Sequence, residues 1–73
     1  MPRTAPEIPK AIADAADFVL NQEMLPRDAQ DLFRYAVLSR GVSRYGSQIE
    51  AAKKFGMQRQ QLSQLLIALE GRL

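Results

Sequence analysis

The residues with the most distinctive chemistry lie in a short polar run, QRQQLSQ, at positions 58–64. A glutamine amide can pair with adenine through two hydrogen bonds, and an arginine guanidinium can do the same with guanine. On a helix, at about 100° per residue, the polar side chains of this run lie opposite or beside a stripe of leucines that ends at Leu69. A glutamine-rich helix surface can also be simply a soluble one, and this alternative stays open. The candidate base-reading residues are Gln58, Arg59, Gln60, Ser63 and Gln64.

The charges are distributed unevenly along the chain. Residues 1–33 carry three cationic and six anionic side chains, a net charge of −3, whereas residues 34–73 carry seven and two, a net charge of +5. Such asymmetry indicates a polyanionic partner for the basic half, although solvated helix faces can also sort this way by chance. Cations near the polar run can hold phosphates, which adds affinity without sequence information. The candidate phosphate-contacting residues are Arg44, Gln48, Lys53 and Lys54.

Composition argues against an enzyme. The 73-residue chain has no cysteine and no histidine. It therefore lacks a thiol nucleophile, the commonest general base and the commonest transition-metal ligand. We expect no cofactor, no metal site and no small-molecule substrate. No apolar run approaches the ~20 residues of a membrane span, and the first ten residues lack the apolar middle of a secretory signal. We therefore expect a cytoplasmic protein without a membrane partner.

The apolar spacing predicts an all-α fold, a compact four-helix domain over residues 9–73 that follows a flexible, proline-rich arm, residues 1–8. Helix one is predicted from Pro9 to about residue 21, because proline suits a first helical turn. Pro26 opens helix two, in which apolar residues recur at the spacing of one helix face. Gly41 is then predicted as the left-handed end of helix two, so that this helix covers residues 26–40. The apolar stripe of helix two consists of Ala29, Leu32, Phe33, Ala36 and Val37.

The start of helix three is predicted by a capping pattern. Ser47 and Glu50 have the spacing of a capping box, in which each side chain accepts a hydrogen bond from the other residue's unpaired backbone amide. Gly56 then breaks the helix and reverses the chain, and helix four is predicted from residue 59 to about residue 69. The residues of helix three predicted to point inward are Ile49, Ala52 and Phe55.

Residues 47–69 contain the parts of a helix-turn-helix. Ala52 is the small residue where two helices approach, Gly56 is the turn, and Leu62 and Leu65 lock the second helix on the first. On these residues the chain resembles the bacterial and phage helix-turn-helix superfamily, most closely the compact regulators of plasmid, phage and nucleoid-protein type. The resemblance covers about a third of the chain. It implies a transcription regulator, in a bacterial or phage-infected cell, that binds double-stranded DNA through helix four.

A protein partner is the main alternative. The chain is similar in length and all-α build to short phage-encoded regulators that bind host RNA polymerase, inhibit initiation or promote antitermination. That similarity is one of architecture, without a motif that aligns residue by residue. It implies a partner-binding arm, for which the candidate residues are Arg3, Glu7, Ile8 and Lys10. A weaker alternative is an antitoxin or assembly adaptor that uses the fold as a dimer scaffold.

The number of cations limits the strength of DNA binding. The predicted contact face carries four or five, whereas a protein that gains its affinity from phosphates neutralises about 6–10 of them. A single copy is therefore expected to bind weakly. A homodimer, formed through Ile67, Leu73 or helix one, would remove this limit.

Overall fold

The computed structural model describes residues 5–73, which form four helices and no strand. The helices are α1 (Lys10–Asn21), α2 (Pro26–Tyr45), α3 (Gln48–Phe55) and α4 (Arg59–Arg72). The predicted all-α class and the number of helices are confirmed. The predicted starts of α2, α3 and α4 agree with the structure, and α4 continues three residues beyond the predicted end at Leu69.

The predicted end of α2 is wrong, because the helix continues through Gly41 to Tyr45. Gly41 is buried inside the helix, and a side chain there would overlap the ring of Phe55. The left-handed residue that ends the helix is Gly46, with φ 92° and its amide 3.0 Å from the carbonyl of Val42. Residues 42–45, predicted as a connector, are therefore the last turn of α2. Gly41 permits a close approach between helices, whereas Gly46 permits the turn.

Two different caps start α3 and α4. The Ser47 hydroxyl accepts a hydrogen bond from the Glu50 amide at 3.2 Å, as predicted. The reciprocal half of the box is absent, since the Glu50 carboxylate instead accepts from Lys53 Nζ at 3.5 Å. At α4 the hydrogen bond from the N-cap amide to the third helical side chain is present, because Gln61 Oε1 accepts from the Gln58 amide at 3.1 Å. A pair of glutamines thus caps the start of α4.

The turn between α3 and α4 is a Schellman motif. Gly56 adopts the left-handed conformation, with φ 69°. The Met57 amide donates to the Ala52 carbonyl at 3.0 Å, and the Gly56 amide donates to the Lys53 carbonyl at 3.3 Å. These two bonds satisfy carbonyls that the end of a helix would leave unpaired. The turn therefore fixes the direction in which α4 leaves α3.

The core lies between α2, α3 and α4. Among residues 5–73 its buried side chains are Leu38, Ala51, Ala52, Leu62 and Leu69. Two of these five are alanines, so the helices approach closely but bury little apolar volume. The predicted inward position of Ile49 is wrong, because its side chain is 50% exposed. Ala51 and Ala52 occupy the face of α3 that meets the core, and Ile49 lies about 160° from Ala51 and about 60° from Ala52 around the helix.

Polar contacts define how α4 lies on α2. The Tyr35 hydroxyl donates a 2.8 Å hydrogen bond to Glu70 Oε1, and Arg72 Nη1 lies 3.5 Å from Asp31 Oδ1. The C-terminal end of α4 therefore rests on the first half of α2. Because α4 begins just after Phe55, which packs at Gly41, its N-terminal end lies beside the second half of α2.

Helix α1 stands apart from this core. None of its residues is buried, and the predicted apolar stripe of α2 is also largely uncovered, with Phe33 56% exposed. The chain reverses after α1 through a second Schellman motif, in which Glu23 takes the left-handed position with φ 54°. The radius of gyration is 14.9 Å, whereas a compact chain of this length has about 11 Å. The predicted compact shape therefore applies to α2–α4 only.

Candidate nucleic-acid interface

The outward face of α4 carries two of the predicted base-reading residues. Gln60 and Gln64 are exposed, and they lie on the side of the helix opposite the fully buried Leu62 and Leu69. Because these leucines hold that side of α4 against α2 and α3, the two amides cannot turn into the core. Ser63 is half-buried and lies at the flank of this face. The amides are thus presented on a helix whose rotation is set by packing.

Gln58 and Arg59 lie at the start of α4. Both are exposed, and the bond from the Gln58 amide to Gln61 orders the backbone at this point. Arg59 forms no ion pair with any residue of the 5–73 segment. Its guanidinium is therefore available for an acceptor pair from outside the chain.

The predicted phosphate-contacting residues lie on two helices that meet beside this end of α4. Lys53 and Lys54 are exposed in the last turn of α3, and Arg44 is exposed in the last turn of α2. The Lys54 ammonium lies 5.9 Å from the centre of the Tyr45 ring, a cation–π arrangement that directs it. The remaining candidate, Gln48, is half-buried at the first position of α3.

Arg40 belongs to the same surface, although the sequence did not single it out. The continuation of α2 places Arg40 and Arg44 four residues apart on one face, where both border a cleft with Tyr45 and Phe55. The sequence predicted that α2 ends at Gly41, which places Arg44 outside the helix. The side chain of Arg44 could then not be assigned to the same helix face as Arg40. Gly46 is a second glycine that can end the helix, but the sequence alone does not show which of the two glycines does so.

The carboxylates of the basic half are arranged so that this end of the molecule is more basic than its composition implies. Glu70 lies near the C-terminal end of α4, where its carboxylate accepts from the Tyr35 hydroxyl. This hydrogen bond, with some burial and the nearby charge of Glu70, raises the pKa of Tyr35 above its ordinary value. Glu50 is the other carboxylate of residues 34–73. Residues 40–59 therefore carry five exposed cations and one carboxylate, Glu50, and these cations are Arg40, Arg44, Lys53, Lys54 and Arg59.

The residues proposed for a partner-binding arm are not brought together. Lys10 is the first residue of α1 and its ammonium lies 3.2 Å from Asp14 Oδ2. Glu7 and Ile8 precede the helix and are exposed. Arg3 lies outside the residues that the structure describes. Lys10 thus belongs to the helix rather than to an arm.

Comparison with known protein families, with curated proteins and with solved structures gave no match. Within residues 5–73, no helix combines the length and the apolar character needed to cross a membrane.

Proposed function

We propose that the chain is a small transcription regulator whose α3–turn–α4 unit acts as a helix-turn-helix and places α4 in the major groove of double-stranded DNA. The observation that carries the proposal is the pairing of two features on α4. One side is locked by buried leucines, and the other presents exposed amides beside a free Arg59. A helix that reads bases needs both, because its side chains must be presented at a fixed rotation.

The side chains suit a division between base reading and backbone contact. Arg59, Gln60 and Gln64 can form bidentate pairs with guanine or adenine. Lys53 and Lys54 stand at the end of α3, where contacts to phosphates would fix the register without specifying sequence. Lys53 can contact a phosphate although it lies near Glu50, because an exposed ion pair contributes little to the free energy of folding and is easily exchanged for a phosphate contact.

The charge on this surface sets the expected strength. Five cations would give a salt slope of roughly −4.5 in log K against log salt for B-DNA. Such a protein binds measurably at low salt and weakly at physiological salt. We therefore expect specific binding to depend strongly on the base contacts of α4 or on a second copy on the same duplex.

The direct test is selection of preferred sites from a random duplex library, followed by titration of the selected duplex at several salt concentrations. The expected result is a preferred sequence bound with a negative salt slope. Absence of duplex binding at low salt would overturn the proposal. The matched control is Arg27→Ala, since Arg27 is an exposed cation at the far end of α2 and its loss should change neither affinity nor slope.

A second candidate is a transcription regulator that binds RNA polymerase rather than DNA. It is favoured by Glu7 and Ile8, which precede α1, belong to no helix and are exposed, since a segment outside the fold with an exposed apolar residue can dock on a protein. The test is titration of the labelled chain with RNA polymerase. Line broadening at residues 5–8 with none in α4 would favour this candidate, and broadening confined to α4 on duplex DNA would oppose it.

A further inference from the structure

The chain exposes more surface than a folded monomer of its mass should. A monomer of 8.2 kDa is expected to expose about 4,500 Å², whereas this chain exposes 6355 Å². Helix α1 contributes to this excess, because none of its residues is buried.

The exposed apolar surface is concentrated at one end of the molecule. Among residues 5–73, seven of the eleven exposed large apolar side chains lie between positions 8 and 37. There α1 and the first half of α2 form an open groove of ≈ 410 Å³. Its lining is apolar except for Gln30, and the residues that matter here are Ile12, Ala16, Val19, Leu20, Ala29 and Phe33.

The charged residues of α1 lie on the opposite side of the helix from this groove. At 100° per residue, Lys10, Asp14 and Asp17 cluster within about 60° of one another, across the helix from Ile12 and Val19 and at least about 100° from Ala16. Because these three charges lie away from the groove, they neither attract a basic partner into it nor repel a second copy of the chain, whose residues 1–33 are also acidic. A two-fold pairing of this face would keep all three charges in solvent.

We propose that this face pairs with the same face of a second copy of the chain, so that α1 and α2 of both copies form a four-helix bundle. The inference goes beyond DNA binding and does not depend on it. A short helix such as α1 is marginal alone in water, and the second copy supplies the apolar cover that the chain itself does not. An isologous arrangement closes on itself and leaves no further apolar face of this kind.

The area available matches what a small dimer interface needs. A half-exposed large apolar side chain offers about 100 Å², since aromatic side chains bury about 150–250 Å² in full. Three such residues line the groove, Ile12, Leu20 and Phe33, and they give roughly 300 Å² of apolar surface. Because interfaces are about 60% apolar, this corresponds to roughly 500 Å² per partner, or about 1,000 Å² in total, the lower end of the range for specific interfaces.

The first test is sedimentation equilibrium of the full chain without DNA, from micromolar to millimolar protein. The expected mass is twice 8.2 kDa. Phe33→Glu should raise the dimer dissociation constant by about tenfold or more, as loss of a central apolar contact does. The matched control is Ile67→Glu on α4, since Ile67 is as exposed as the groove residues, at 67%, and should leave the dimer intact.

A single mass of 8.2 kDa at all concentrations would overturn the proposal and would mean that something other than a second copy covers the face. Dissociation by Ile67→Glu but not by Phe33→Glu would overturn it equally. Phe33 is already 56% exposed, so its replacement should not unfold α2–α4. Amide NMR signals of residues 38–69 that stay dispersed in Phe33→Glu separate loss of pairing from loss of fold.

Cross-linking gives an independent readout, because the chain contains no cysteine. Ala16→Cys places a thiol in the groove, and Asp17→Cys places one on the charged side of α1. A short bis-maleimide should join two copies of Ala16→Cys and leave Asp17→Cys as a monomer on a denaturing gel. Equal cross-linking of both variants would contradict the assigned face.

Discussion

The ring of Phe55 fills the space that a side chain at Gly41 would need. This contact joins the end of α3 to the second half of α2, and it fixes where the chain turns into α4. Gly41 therefore permits the close approach of the two helices, inside a helix whose interior disfavours glycine by about 1 kcal/mol. A glycine at this position thus lowers the local stability of α2, but it allows the contact that positions the α3–α4 turn.

Gly41→Ala is expected to destabilise the fold by about 1–2 kcal/mol. Alanine favours the helix, but the overlap with Phe55 forces the ring to move, and overpacking costs about 1–3 kcal/mol. Urea denaturation measures the change. In a Phe55→Leu background, which removes the far end of the ring, the same substitution should become neutral or stabilising. An equal loss in both backgrounds would contradict the role assigned to this contact.

The hydrogen bond between Tyr35 and Glu70 predicts a pH dependence at the alkaline end. The pKa of Tyr35 is raised in the folded protein, so its contribution to stability is complete below the unfolded value of 10.0 and is lost as pH rises through the folded pKa. Wild type and Tyr35→Phe should therefore differ in urea midpoint at pH 8 and converge at higher pH.

A charge-removing variant separates the causes of this shift. Glu70→Gln keeps an acceptor oxygen near Tyr35 but removes the carboxylate, so the pKa of Tyr35 should move back towards 10.0. Subtraction of the Tyr35→Phe absorbance titration at 295 nm isolates the Tyr35 step in each protein. An unchanged Tyr35 midpoint in Glu70→Gln would show that the charge of the Glu70 carboxylate does not contribute to the raised pKa.

Ser47→Ala is expected to destabilise the fold by about 1 kcal/mol. The Ser47 hydroxyl is the side-chain cap of α3, and loss of such a cap typically has this effect. The matched control is Ser43→Ala, an exposed serine inside α2, where alanine should be neutral or slightly stabilising. Thermal unfolding by circular dichroism compares the two, and equal midpoints would contradict the capping role.

DNA-binding variants are expected to fall into two classes. Lys54→Ala should weaken binding to all duplexes alike and reduce the salt slope by about 1, as loss of one phosphate contact does. Arg59→Ala and Gln60→Ala should instead lower discrimination at individual base pairs by about 1–3 kcal/mol each. Fluorescence anisotropy with selected and scrambled duplexes distinguishes the classes. Uniform weakening by all three variants would leave α4 without a reading role.

The starts of the helices could be predicted because they are set by local chemistry. Pro26 and Ser47 stabilise the first turn of the helix that each begins, and Gly56 ends α3 because it adopts the left-handed conformation itself. The end of α2 could not be predicted in this way. Gly41 and Gly46 look alike in sequence, and only the position of Phe55, which depends on tertiary packing, shows which glycine ends the helix.

The positions of the candidate reading residues were predictable for a similar reason. Gln60 and Gln64 face outward because Leu62 and Leu69 lie on the other side of the same helix. Periodicity predicts which residues of a helix share a face, but it could not say what covers the apolar face of α1. The expected packing of α1 in a four-helix core is therefore absent, and Phe33 on α2 stays uncovered.

The length of α2 has a consequence for the spacing of any operator. Its 20 residues span about 30 Å, with the proposed pairing face at one end and the start of α4 beside the other half. Two copies of α4 related by that pairing would be held apart by the length of α2, a distance that admits palindromic half-sites one helical turn apart, about 34–36 Å.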